Sequence, residues 1–184
     1  MPVPVDPLAS LHLGAIELEV GPLTVLVPPR TAKDWLTVTV EHNGRLAGYL
    51  HLLSVLDRLE VIGSLMDGHI TETDLSEAIW DLLAVATGFD WWWVAHRLLM
   101  STAADWANVG GILLRTGFDL ETRPVGALVM TVYGLYREQM VKAMTAEERA
   151  AAMQELCMPP KGLPDWAEQM QIVGAQVLGD MTGG

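Results

Sequence analysis

The sequence predicts a mainly α-helical, bundle-like domain with a small N-terminal β-hairpin and a hinged C-terminal amphipathic helix. Three observations carry this reading. Apolar residues recur at helical spacing over most of the chain. Capping pairs of the Ser/Thr-x-x-Asp/Glu type punctuate that pattern. Only residues 13–27 alternate with the period of a strand.

In that segment Ile16, Leu18 and Val20 alternate with Glu17 and Glu19, and Leu23-Thr24-Val25-Leu26-Val27 follows Gly21-Pro22. Two strands about a Gly-X turn make a hairpin. A lone hairpin is marginal in water, so it must pack on helices or pair with another subunit's edge. Pro28 and Pro29 end it. Thr31 with Asp34 then caps a helix starting near residue 32, weakened by the β-branched run Thr37-Val38-Thr39-Val40 and interrupted at Asn43-Gly44. A second helix is predicted over residues 46 to about 65, with Leu50, Leu53, Leu56 and Ile62 on it. Asp74 with Glu77 caps a third, which ends at Gly88. Asp90 caps the next, and Ala103 or Asp105 opens a further helix ending at Gly117. Pro124 begins a long helix of about 20 residues, since its fixed φ suits a first turn. Thr145 with Glu148 caps the one that follows.

After the break Met158-Pro159-Pro160-Lys161-Gly162, the residues Trp166, Met170, Val173 and Val177 recur at helical spacing. The chain therefore divides into a hairpin-plus-helical domain, residues 1–158, and a linker with a C-terminal amphipathic helix, residues 159–184. That helix either packs back on its own domain or binds in a partner's groove, because the prolines make it separable.

The chain has 184 residues, of which 51% are hydrophobic and 18% charged, which suits a folded domain with a sizeable core. Its 23 acidic against 11 basic residues, a net charge of -12, argue against nucleic acid and anionic membranes as partners. From Asp57 to Asp90 the only basic partner of eight acidic side chains is Arg58. That stretch is a solvated face or a landing site for a basic partner. Cys157 is the only cysteine, so no intrachain disulfide can form. The N-terminus Met1-Pro2-Val3-Pro4-Val5 lacks the basic and apolar regions of a signal peptide. The longest uncharged apolar run, residues 125–136, is shorter than the roughly 20 residues of a membrane span. The reading is a cytoplasmic chain.

Trp91, Trp92 and Trp93 are the most distinctive residues. At about 100° per residue they sweep roughly 200° of a helix, more than one core-facing stripe covers. Trp91 aligns with Val94, Ala95 and Leu98, whereas Trp93 lies near Arg97 and Met100 on the other side. The helix is either buried nearly all round, or Trp93 and Met100 form a second patch that a partner covers.

Motifs for phosphate, zinc and acyl-transfer chemistry are absent. Gly110-Gly111 is read as allowing close helix approach. Asp67-Gly68-His69 with Glu72 and Asp74 offers hard ligands without the order of a calcium loop, and reads as a connector and cap. His96 with Asp90 or Asp105 lacks a nucleophile. No catalytic residue, metal or cofactor is expected.

The capped Thr31-Ala32-Lys33-Asp34-Trp35 after the hairpin, Asp90-Trp91-Trp92-Trp93-Val94-Ala95-His96-Arg97-Leu98-Leu99, Trp106 before Gly110-Gly111 and Leu113-Leu114, and Gly117-Phe118-Asp119 resemble the tail assembly chaperones of long-tailed phages infecting actinobacteria. The likeness spans about residues 16–160. It differs at Glu121-Thr122-Arg123-Pro124, where the family often has an apolar segment. The resemblance implies a non-enzymatic protein of the host cytoplasm that binds the tape-measure protein, keeps it soluble and promotes assembly of tail-tube protein around it. It also implies absence from the mature virion and a longer product made by programmed frameshifting, with this chain as the short form. Exposed aromatic and methionine surface suits such a client. The candidate partner-binding residues are Trp93, Met100, Trp166 and Met170, and self-association is a further option. A structural virion subunit, such as a head-tail connector or tail component, is the alternative reading.

Overall fold

The computed structural model describes residues 14–161, so Trp166, Met170 and the predicted terminal helix lie outside the described residues. Strands β1 (Ile16–Val20) and β2 (Leu23–Val27) pair antiparallel, with Leu18 opposite Val25. Gly21 turns the chain at φ 57, a value only glycine adopts without strain. Leu18, Val20, Val25 and Val27 point inward, while Glu17, Glu19, Thr24 and Leu26 face out. The hairpin packs on helices: β1 lies against α3 (Glu72–Thr87) and β2 against α2 (Val55–Met66).

The helical body comprises α1 (Ala32–Glu41), α2, α3, α4 (Trp92–Ala104), α5 (Trp106–Arg115), α6 (Val125–Ala143) and α7 (Ala146–Cys157). The order of elements is that of the sequence reading, with two corrections at helix starts and one break. The Asp34 carboxylate accepts from the Thr31 N–H at 2.8 Å, the cap expected for α1. Thr145 and Glu148 do the same for α7 at 2.7 Å. For α3, however, the capping residue is Thr71, whose N–H donates to Asp74 at 2.7 Å, so Asp74 is the third helical residue and not the cap. Asp90 does not cap α4 either. Trp91 occupies that position, and no side chain caps the helix start.

The helix predicted over residues 46–65 is broken. Leu46–Leu52 forms a 3₁₀ helix, Leu53 is extended, and α2 restarts at Val55 with Ser54 as its cap. Ser54 Oγ accepts from Asp57 N–H at 3.1 Å and donates to its carboxylate at 2.7 Å. The 3₁₀ helix is nearly all buried and lies against α1. Its Gly48 is obligatory: a Cβ there would stand 2.6 Å from the Cβ of His42, which is anchored to the backbone and cannot swing away.

The core is built by α1, α3, α4 and α6, with α4 at its centre, in contact with α1, α3, α5, α6 and α7. Val94, Ala95, Leu98 and Leu99 of α4 are buried together with Ile79, Leu82 and Leu83 of α3 and Leu128 and Val129 of α6. Among the described residues no helix is long and apolar enough to cross a membrane.

Candidate partner-binding surface

Helix α4 carries the tryptophan run into the middle of the helical body. Trp92 stacks on Trp80 of α3 at 5.2 Å, with their planes 7° apart. Trp91 stacks on Trp93 at 5.8 Å. All three are half-buried against the core. The side of α4 that carries Trp93 is covered by α7 of the same chain. Trp93 Nε1 donates to the Cys157 carbonyl at 3.2 Å, and Arg97 Nη1 donates to the carbonyls of Glu155 and Leu156, each at 2.7 Å. The last carbonyls of a helix have no partners within it and carry partial negative charge. α4 therefore caps the C-terminus of α7 with one guanidinium and one indole. Met100 is half-buried at the other end of α4, where it fills the space over Gly44: any side chain on Gly44 would collide with its thioether.

Replacing Arg97 by Met should consequently loosen α7, with hydrogen exchange of its amides accelerated by about five-fold, for a loss of about 1 kcal/mol. Unchanged exchange in α7 would mean that this capping contributes nothing.

The catalytic constellations considered from sequence are occupied structurally. His96 Nδ1 lies 3.0 Å from the Tyr49 hydroxyl, not on Asp90 or Asp105. Tyr49 in turn lies 3.4 Å from Thr39 Oγ1, which donates to the Trp35 carbonyl at 2.8 Å. Burial, with Arg97 beside it, lowers the His96 pKa to about 4, and burial raises that of Tyr49, against its hydrogen bond with Thr39. Both are neutral near pH 7, which suits a buried strut. Asp67 ends α2, and Asp74 is held by Thr71, whose backbone and side-chain donors lower its pKa. Among the described residues no three His, Cys, Asp or Glu side chains converge as a metal site would require.

An open apolar groove lies elsewhere, between α1 and α5, with a volume of about 550 Å³. Leu36, Thr37 and Val40 line it from α1, Trp106, Leu113 and Leu114 from α5, and Phe118 from the segment that follows. Trp106, Leu114 and Val40 are exposed at 40%, 77% and 54%. Gly110 has a local role here. A Cβ on it would stand 2.8 Å from the Trp106 indole, so the glycine lets that ring lie flat along its own helix. This intrahelical contact is what the structure shows at Gly110, which the sequence reads as a point of helix approach.

The α1 wall of the groove is tied to the loop after α5. The N–H of Ala32 donates to Arg123 O at 2.8 Å and that of Lys33 to Leu120 O at 3.0 Å, so the loop after α5 satisfies two orphan donors of α1. Lys33 Nζ also bridges to Glu121 at 2.8 Å, and the hydrogen bond and charge of Glu121 raise its pKa. Glu41 and Asp119 complete a rim with more acids than bases. Comparison with protein-family models, curated proteins and solved structures gives no match.

Proposed function

We infer that the protein is a non-enzymatic tail assembly chaperone of a long-tailed phage, which binds the tape-measure protein in the host cytoplasm and keeps it soluble while the tail tube assembles. The observation that supports this most is the α1–α5 groove, an apolar cleft with an aromatic wall and an acidic rim on a chain of net charge -12. A long amphipathic client buries its apolar stripe in such a cleft, while the surplus charge keeps the complex in solution. Trp106 is the anchor of this reading, since large aromatic side chains on rigid elements dominate binding energies. The likeness of the capped first helix, the tryptophan run and the residues 106–119 segment to that chaperone family supports the same reading.

The test is co-expression with the tape-measure protein of the same phage. The wild-type chain should carry it into the soluble fraction as a complex, and Trp106→Ala with Leu114→Ser should weaken the complex by about thirty-fold, or about 2 kcal/mol. A complex that ignores both substitutions would remove the groove from the mechanism. Stoichiometric recovery of the chain from purified particles would replace the chaperone reading with that of a virion subunit.

A further inference from the structure

Helix α2 is turned inside out. Its one cation, Arg58, is buried at 7% exposure with its guanidinium on His51 Nδ1, beside the His42 ring stacked on His51 at 4.3 Å. Val61 is fully buried next to it. Facing outward, Val55, Leu56 and Met66 are exposed at 56%, 79% and 82%, so Leu56 and Met66 are more open to water than any other large apolar side chain among the described residues. At about 100° per residue, Val55, Met66, Leu59 and Leu56 fall within roughly 100° of arc, and Asp67 and Glu60 border that stripe along its Leu56 edge. Rotation of the helix to bury the leucines would pull Arg58 and Val61 out of the body, so the inward contacts fix the apolar stripe outward.

We propose that this outward face of α2 docks an amphipathic helix of a partner protein whose apolar stripe is flanked by lysine or arginine. Charge complementarity selects that occupant. With Arg58 turned inward, the exposed charges of α2 and its C-cap, on Glu60 and Asp67, are all negative. A second copy of this chain, with a net charge of -12, would meet like charge, and an anionic membrane surface would be repelled. Gly63, in the middle of the stripe, supplies the close approach: a Cβ built on it meets nothing within 4 Å, so the notch is open to a partner's side chain. The inference rests on α2 alone and stands independently of the chaperone reading.

The probe is a synthetic helical peptide of about 18 residues with leucines on one stripe and lysines on its flanks, against a control with glutamates in place of the lysines. The full chain should bind the lysine peptide at least about ten-fold more tightly than the control, with affinity falling as salt is raised. Leu56→Ser with Met66→Ser should weaken binding by about ten-fold. Gly63→Leu should weaken it comparably while leaving the fold at least as stable, since leucine favours a helix over glycine. Leu114→Ser in the α1–α5 groove should change it by less than about two-fold. Equal binding of both peptides, or binding that ignores the α2 variants, would overturn the proposal. A dimer in solution that dissociates on Leu56→Ser would overturn it too, by assigning the face to a second copy.

Discussion

Phe89→Ala should lower the free energy of unfolding by about 4 kcal/mol, a large share of the 5–15 kcal/mol that holds a typical domain together. Phe89 is fully buried, just after the left-handed Gly88 that ends α3, and its ring meets Tyr133 of α6 edge to face at 5.7 Å. Its backbone is fixed as well, because its N–H donates to Thr87 Oγ1 at 3.4 Å. The chain cannot slide to fill the space a truncated side chain leaves, so the lost transfer energy is joined by the cost of a cavity. Phe89→Leu, which keeps most of the volume, should cost less than half as much. Urea denaturation followed by circular dichroism measures both. A loss below about 1.5 kcal/mol for the alanine variant would show that α3 and α6 close over the gap, and that the core at this end is not as tightly determined as the burial implies.

What the sequence made legible was local. The hairpin was readable because alternation and a Gly-Pro turn are written in consecutive residues, and the caps at Thr31 and Thr145 because a cap involves residues three apart. The failures have the same origin. Thr71-Glu72-Thr73-Asp74 and Asp74-Leu75-Ser76-Glu77 both fit the capping pattern, and only the backbone shows that the first is used. Ser54 and Asp57 form a cap of the same kind, hidden because the apolar run continues on both sides of it. For the candidate site, periodicity told which faces of the tryptophan helix are apolar but not what covers them. The cover for Trp93 is the C-terminus of α7, 64 residues away along the chain. The α1–α5 groove is similarly non-local, joining Val40 to Leu114. The signal available for it was weak: Leu114 beside the buried Leu113, and Val40 beside the buried Thr39, are apolar residues out of phase with their own helices.

Between pH 7 and pH 5 the fold should lose about 2 kcal/mol of stability through His96, before most carboxylates titrate. The folded-state pKa of His96 is depressed to about 4, by burial first and the Arg97 charge second, whereas in the unfolded chain the ring titrates near 6.5. The unfolded state therefore takes up a proton at a pH where the native state refuses it. Stability is fully present above about pH 6.5, declines as the pH falls, and stops declining near pH 4. His42 acts in the same direction, since burial, together with Arg58 and Arg45 and against Glu41, lowers its pKa too. The carboxylates of Asp74 and Asp119 are held below their usual range by hydrogen bonds and titrate beneath this window. Urea midpoints at pH 7 and pH 5 give the slope, and His96→Gln separates the contributions, because glutamine can still bond the Tyr49 hydroxyl but cannot titrate. The variant should keep a smaller slope, to which His42 contributes. If its slope equals that of the wild type, protonated His96 is accommodated in the fold. The Tyr49–His96 pair would then be a contact that water reaches, not the buried strut between α4 and the 3₁₀ helix that its geometry describes.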